Sequence, residues 1–174
     1  MASLSTSTST CEVGLSAELL RALSGAMLAL AVASTPLAAQ QSPEMNFFVV
    51  PTGPTYGANQ PTLQVTDSHC ASLAYPQNLG HLRWRAYLNG SAAEGEGGQV
   101  ARNRIGTGPW YNFYGVMIAE NVAQLHSDDN NLWYESAVTV TGDYAPEGMV
   151  IPPGSQLDGS DFSRRGPFFC FGVP

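Results

Sequence analysis

The chain has 174 residues, 44% of them hydrophobic, an ordinary share for one globular domain with its own core. Charge is sparse and one-sided: fourteen acids face seven arginines and no lysine, a net charge of −7, which excludes a surface built to track nucleic-acid phosphates. Eighteen glycines and twelve prolines among short apolar runs point to many turns and long loops rather than a helical bundle.

Residues 26–33 (Ala-Met-Leu-Ala-Leu-Ala-Val-Ala) form an apolar run of signal-peptide length, too short to span a bilayer. Pro36 breaks it, and small residues precede a polar start, which places cleavage after Ala39. Arg21 is the only cation ahead of the run, opposed by Glu12 and Glu18; the competing reading is a buried N-terminal helix. The expected organisation is a signal peptide over 1–39 and one domain over 40–174, secreted or periplasmic, which meets a membrane only during export. Removing the leader leaves a net charge of −6. Cys11 leaves with it, and Cys70 and Cys170 remain as an even pair, read as one disulfide. Closing a loop of about a hundred residues stabilises a fold by up to roughly 4–5 kcal/mol in the chain-entropy model.

Residues 45–50 read as a first strand stopped by Pro51, followed by a turn-rich connection. Helical spacing over 63–74 lets Leu63, Cys70, Leu73 and Ala74 share a face before Tyr75-Pro76 ends the helix. Asp67 and His69 on it are expected to play structural parts. In Arg83-Trp84-Arg85-Ala86-Tyr87-Leu88 alternation predicts a half-buried strand, with Trp84, Ala86 and Leu88 inward and Arg83, Arg85 and Tyr87 outward. Asn89-Gly90-Ser91 is a glycosylation sequon, and residues 92–98 read as a surface loop.

The densest stretch is 101–131. Gly106 and Gly108 permit positive φ, and Pro109 fixes a corner that must aim Trp110 somewhere definite, most naturally inward. A short buried strand is expected over 115–119, then a helical segment with Val122, Ala123 and Leu125 on its apolar side. Trp110, Tyr111 and Asn112, with Arg102 and Arg104, are the candidate ligand-binding residues. The two arginines read either as a structural fork on loop carbonyls and carboxylates or as a ligand clamp. In His126-Ser127-Asp128-Asp129-Asn130-Asn131 the oxygens of Asp128, Asp129 and Asn131 are a candidate Ca²⁺ rim, but the stretch lacks the glycine and distal glutamate of an EF-hand; an Asx-rich turn is the plainer reading.

Catalysis is poorly provided for. His69, His81 and His126 show no zinc-hydrolase spacing, no Gly-x-Ser-x-Gly elbow or phosphate-cradling glycine loop occurs, and Glu94 and Glu96 sit in a glycine loop that would not hold an acid and a base at fixed separation. No enzymatic activity is expected.

Met-Asn-Phe-Phe at 45–48, Asp-Ser-His-Cys at 67–70, Trp-Arg-Ala-Tyr-Leu at 84–88, residues 101–112 and the closing Phe-Phe-Cys-Phe resemble a group of exported bacterial lectin-like proteins. These are similar in turn to endostatin, with its C-type-lectin-like fold. The resemblance covers 45–131 and, more faintly, 154–173. It implies an α+β domain with a mixed, mostly antiparallel sheet and two short helices, the first tied by Cys70–Cys170 to the last strand. The loop region after 154 is shortened, the second cysteine pair of such relatives is missing, and the Trp-Asn-Asp motif that carries calcium and sugar ligands in C-type lectins is absent. The implied function is a secreted module that binds a glycan or an extracellular protein. The alternatives are assembly into a homo-oligomer or on a partner through Tyr111, Phe113, Tyr114, Trp133 and Tyr134, and a degenerate relative with no ligand.

Overall fold

The computed structural model describes residues 40–54, 61–149, 151, 157 and 167–174. The strands are β1 (Phe47–Val50), β2 (Arg83–Ala86), β3 (Trp110–Tyr111), β4 (Met117–Ala119) and β5 (Phe168–Val173). The α-helices among the described residues are α1 (Leu63–Ala74) and α2 (Val122–Leu125).

A run such as Phe168-Phe169-Cys170-Phe171 has no polar face to give to water, so it must be covered on both sides and along both edges. β5 is accordingly the middle strand of a three-stranded sheet, with β1 and β2 beside it and both pairings antiparallel. Phe47 lies opposite Phe171 and Val49 opposite Phe169, which sets rings on one face at centroid distances of 5.1–5.5 Å. Trp110 adds its ring edge-on to Phe171 at 5.3 Å. On the other face Phe48 packs against Trp84 at 4.8 Å.

α1 covers that second face. Thr62 caps it by accepting from the Val65 N–H, and the Glu96 carboxylate accepts from the Leu63 N–H at 2.7 Å, so two of the open N–H groups of the first turn are satisfied. Leu63, Thr66, Cys70 and Ala74 are buried. The Thr66 hydroxyl donates back to the Leu63 carbonyl at 2.9 Å, so its burial strands no polar group. Cys70 and Cys170 meet at disulfide distance, with their Cα atoms 5.8 Å apart, as the cysteine count predicts. A second, two-stranded sheet pairs β3 with β4.

The α+β class holds, and every strand pair among the described residues is antiparallel. Alternation in β2 holds through Ala86 and then breaks: Tyr87, expected outward, is fully buried. The strand bends there; Leu88 N–H turns back to the Ala86 carbonyl at 2.9 Å, and both side chains drop into the core. Leu73 is half-buried because the helix face centres on 63, 66, 70 and 74. β4 begins at Met117 rather than 115, and Ala123 is exposed while Leu125 is buried. The expected leader over 1–39 lies outside the described residues, as does most of the shortened region after 154. No helix among the described residues is long and apolar enough to cross a membrane.

Candidate functional site

The corner that the sequence singles out is built as a rigid turn. Gly106 and Gly108 take φ of +84° and +87°, and the Gly108–Pro109 peptide is cis. A Cβ on Gly108 would stand 2.6 Å from the Glu120 carbonyl oxygen, so glycine is required there for space as well as for φ. Asn46 pins the corner from β1's side: its amide donates to the Pro109 carbonyl at 2.9 Å and accepts from the Tyr111 N–H at 2.7 Å.

The predicted ligand residues go to different places. Trp110 is 1% exposed and belongs to the core, so its indole offers no surface. Tyr111 is half-buried. Asn112 is fully buried: its Oδ1 accepts from the Tyr114 and Val116 N–H groups at 3.0 Å each and its Nδ2 donates to the Ser136 carbonyl at 3.0 Å, which closes the turn between β3 and β4. Arg104 is the structural fork: Nη1 donates to the Ala86 carbonyl at 2.8 Å and Nη2 to Asp67 Oδ2 at 2.6 Å. Arg102 is exposed, and its positive charge reaches His126. That charge and, more strongly, burial lower the His126 pKa from 6.5, against the raising effect of the Val122 carbonyl.

Residues 126–131 form the Asx-rich turn. Buried Asn130 donates to the Leu125 and Ser127 carbonyls at 3.0 and 2.7 Å and accepts from the Leu132 N–H at 2.8 Å. Asp128 and Asp129 are exposed, and the Asn131 amide donates to the Met117 carbonyl at 2.9 Å. Ca²⁺ takes six to eight oxygens; two exposed carboxylates and one amide are a sparse set. Among the described residues no group of three or more His, Cys, Asp or Glu converges on a point.

Two clefts flank the 101–112 segment and share Gly106 and Val173. The smaller, about 560 Å³, runs past Gly106 to Tyr111 and Asn46. The larger, about 850 Å³, runs along β2, between the Gln64, Asp67, Ser68 and Ala71 side of α1 and the 96–106 loop. The sequence reading missed this groove, although two signals for it were present: 64, 67, 68 and 71 follow helical spacing, and Arg83 and Arg85 share one side of a strand.

Asp67 organises the larger groove. Its Oδ1 accepts from the Ala86 N–H at 2.8 Å, and its Oδ2 accepts from Arg85 Nη1 at 2.8 Å as well as from Arg104. The Asp67 and Arg104 side chains are 10% and 11% exposed, and that of Arg85 is 39%. The groove wall is thus fixed by charge-assisted hydrogen bonds while one guanidinium still faces water.

Comparison with protein-family models, curated proteins and solved structures found no match to this chain.

Proposed function

We propose that the chain is an exported, non-catalytic binding module of C-type-lectin-like arrangement that recognises a glycan or an extracellular protein along the groove beside β2. The observation that carries this reading is the groove itself: a polar cleft of about 850 Å³ whose Asp67–Arg104 wall is held by the fold before any ligand arrives. Of the residues the sequence singled out, Arg104 lines this groove and Tyr111 the smaller cleft beside it, Arg102 lies at neither, and Trp110 and Asn112 hold the loop in shape. The test is a glycan array and an array of extracellular proteins, each probed with the purified chain with Ca²⁺ and with a chelator. Saturable binding that weakens in Arg85→Gln supports the reading; no binding on either array contradicts it. A chelator effect would implicate Asp128, Asp129 and Asn131.

A second reading, self-association, is favoured by one observation. Trp133 and Tyr144 are 57% and 61% exposed, and the Tyr134 and Tyr144 rings lie nearly parallel, 9° apart in plane. Phe113, expected to join that patch, is buried instead. Light scattering of the purified chain tests it: a dimer that Trp133→Ser dissolves supports assembly, and a monomer at high concentration contradicts it.

A further inference from the structure

In an antiparallel ladder a residue's N–H and C=O both point to the same side. Tyr87 N–H bonds the Phe169 carbonyl, so 87 and, two residues back, 85 and 83 address β5. Gly172, opposite Trp84, turns its N–H to the Asn46 carbonyl on the β1 side. The N–H and C=O of Trp84 and Ala86 therefore point away from the sheet, along its outer edge. At Ala86 both are taken, by Asp67 and by Arg104. At Trp84, one step along, neither has a partner among the described residues, and Trp84 lines the larger groove.

The same edge gathers several of the few positive charges of an acidic protein. Six arginines follow residue 39, and three of them, Arg83, Arg85 and Arg104, border this groove. Asp67 bonds both Arg85 and Arg104 but offsets the charge of only one, Glu96 is engaged at the start of α1, and Arg85 and exposed Arg83, which reaches the Pro174 carbonyl at 3.3 Å, flank the Trp84 backbone, unpaired among the described residues. An open backbone donor and acceptor between two arginines on one sheet edge matches an extended chain that supplies its own N–H and C=O and places carboxylates beside the guanidiniums.

We infer that the outer edge of β2 docks an acidic, extended peptide segment of a partner protein, which adds to the sheet at Trp84 and pairs with Arg83 and Arg85. This rests on the binding-module reading and selects the protein arm of it. Opposite-charge cross-strand pairs and main-chain hydrogen bonds would supply affinity together, so each is removable by itself.

The test uses the purified chain on an array of random hexapeptides, followed by fluorescence anisotropy with the tightest peptide, its Glu/Asp→Gln/Asn counterpart and its backbone N-methylated form. Bound sequences are expected to be rich in Asp and Glu at alternate positions. The amide counterpart should bind about tenfold or more weakly, as loss of a charge-assisted hydrogen bond implies, and N-methylation should weaken binding similarly. Arg85→Gln and Arg83→Gln, checked for native thermal melting, should each cost a comparable factor, and Arg85→Lys should recover part of it. Bound peptides without acidic enrichment, indifference to N-methylation, or no bound peptide would each overturn the inference. If in that last case the glycan array shows binding that depends on Arg85, the module reading survives and the peptide inference alone falls.

Discussion

Replacing Asp67 by alanine should cost the fold more than any other single change at the groove. The carboxylate receives three hydrogen bonds, from Ala86 N–H at 2.8 Å, Arg85 at 2.8 Å and Arg104 at 2.6 Å. Stranding the buried Ala86 N–H costs about 1–3 kcal/mol. Losing the charge-assisted bond to the largely buried Arg104 costs about 1.5–3 kcal/mol, lessened because that guanidinium keeps the Ala86 and Leu88 carbonyls. The Arg85 pair, 39% exposed on its cationic side, adds under about 1 kcal/mol after screening. These contributions span roughly 2.5–7 kcal/mol before that lessening, so a loss of about 3–5 kcal/mol is expected, in line with breaking a buried ion pair and a large part of a typical domain's stability. Urea unfolding should show a fall in midpoint at unchanged slope, with Arg85→Ala shifting it by less than about 1 kcal/mol. A loss below about 1 kcal/mol in Asp67→Ala, or an equal loss in Arg85→Ala, would refute the assignment of the carboxylate as the shared anchor.

Asn112→Ala leaves the part-buried Tyr114 and Val116 N–H groups without their acceptor and the buried Ser136 carbonyl without that donor, so a loss of about 1–3 kcal/mol is expected in the same assay; a change under about 0.5 kcal/mol would contradict the role. Gly108→Ala combines a φ of +87° with a Cβ 2.6 Å from a backbone oxygen and should lower the melting temperature by several degrees, whereas Gly95→Ala, at φ +73° but in open space, should cost less. Burial holds the pKa values of His69 and His126 below 6.5. The unfolded chain thus binds the extra protons, and stability is complete above about pH 6.5 and lost as the pH falls from there towards the lower folded values. Thermal melting from pH 8 to pH 5 should show this decline, and His126→Gln should flatten it; a stability that rises on acidification would contradict the assigned direction.

What the sequence disclosed were features that a single segment determines. Tyr75-Pro76 stopped a helix, and paired glycines around Thr107 permitted positive φ; both appear where expected. The cysteine pair carried one long-range fact, the contact of α1 with β5. The groove was hidden because it arises where three remote segments meet: Asp67, Arg85 and Arg104 are joined only by the fold. Tyr87 was misplaced for a related reason, since alternation says nothing about where a strand bends, and the Leu157 carbonyl that accepts from its hydroxyl and the His126 ring that shares a hydrogen bond with it lie far along the chain. Local patterns placed the loop of interest within one element of the groove, and chose as ligand residues the Trp110 and Asn112 side chains that hold that loop in shape.

That the β2 edge is where this chain meets its ligand is tested most directly by titrating the ¹⁵N-labelled protein with the tightest array peptide and following amide shifts. Shifts should concentrate at Ser68, Arg83, Trp84, Arg85 and Asn103, with the Trp84 N–H moving most. Shifts centred on Trp133, Tyr134 and Tyr144, or on Asp128 and Asp129, with the Trp84 N–H unmoved, would contradict it.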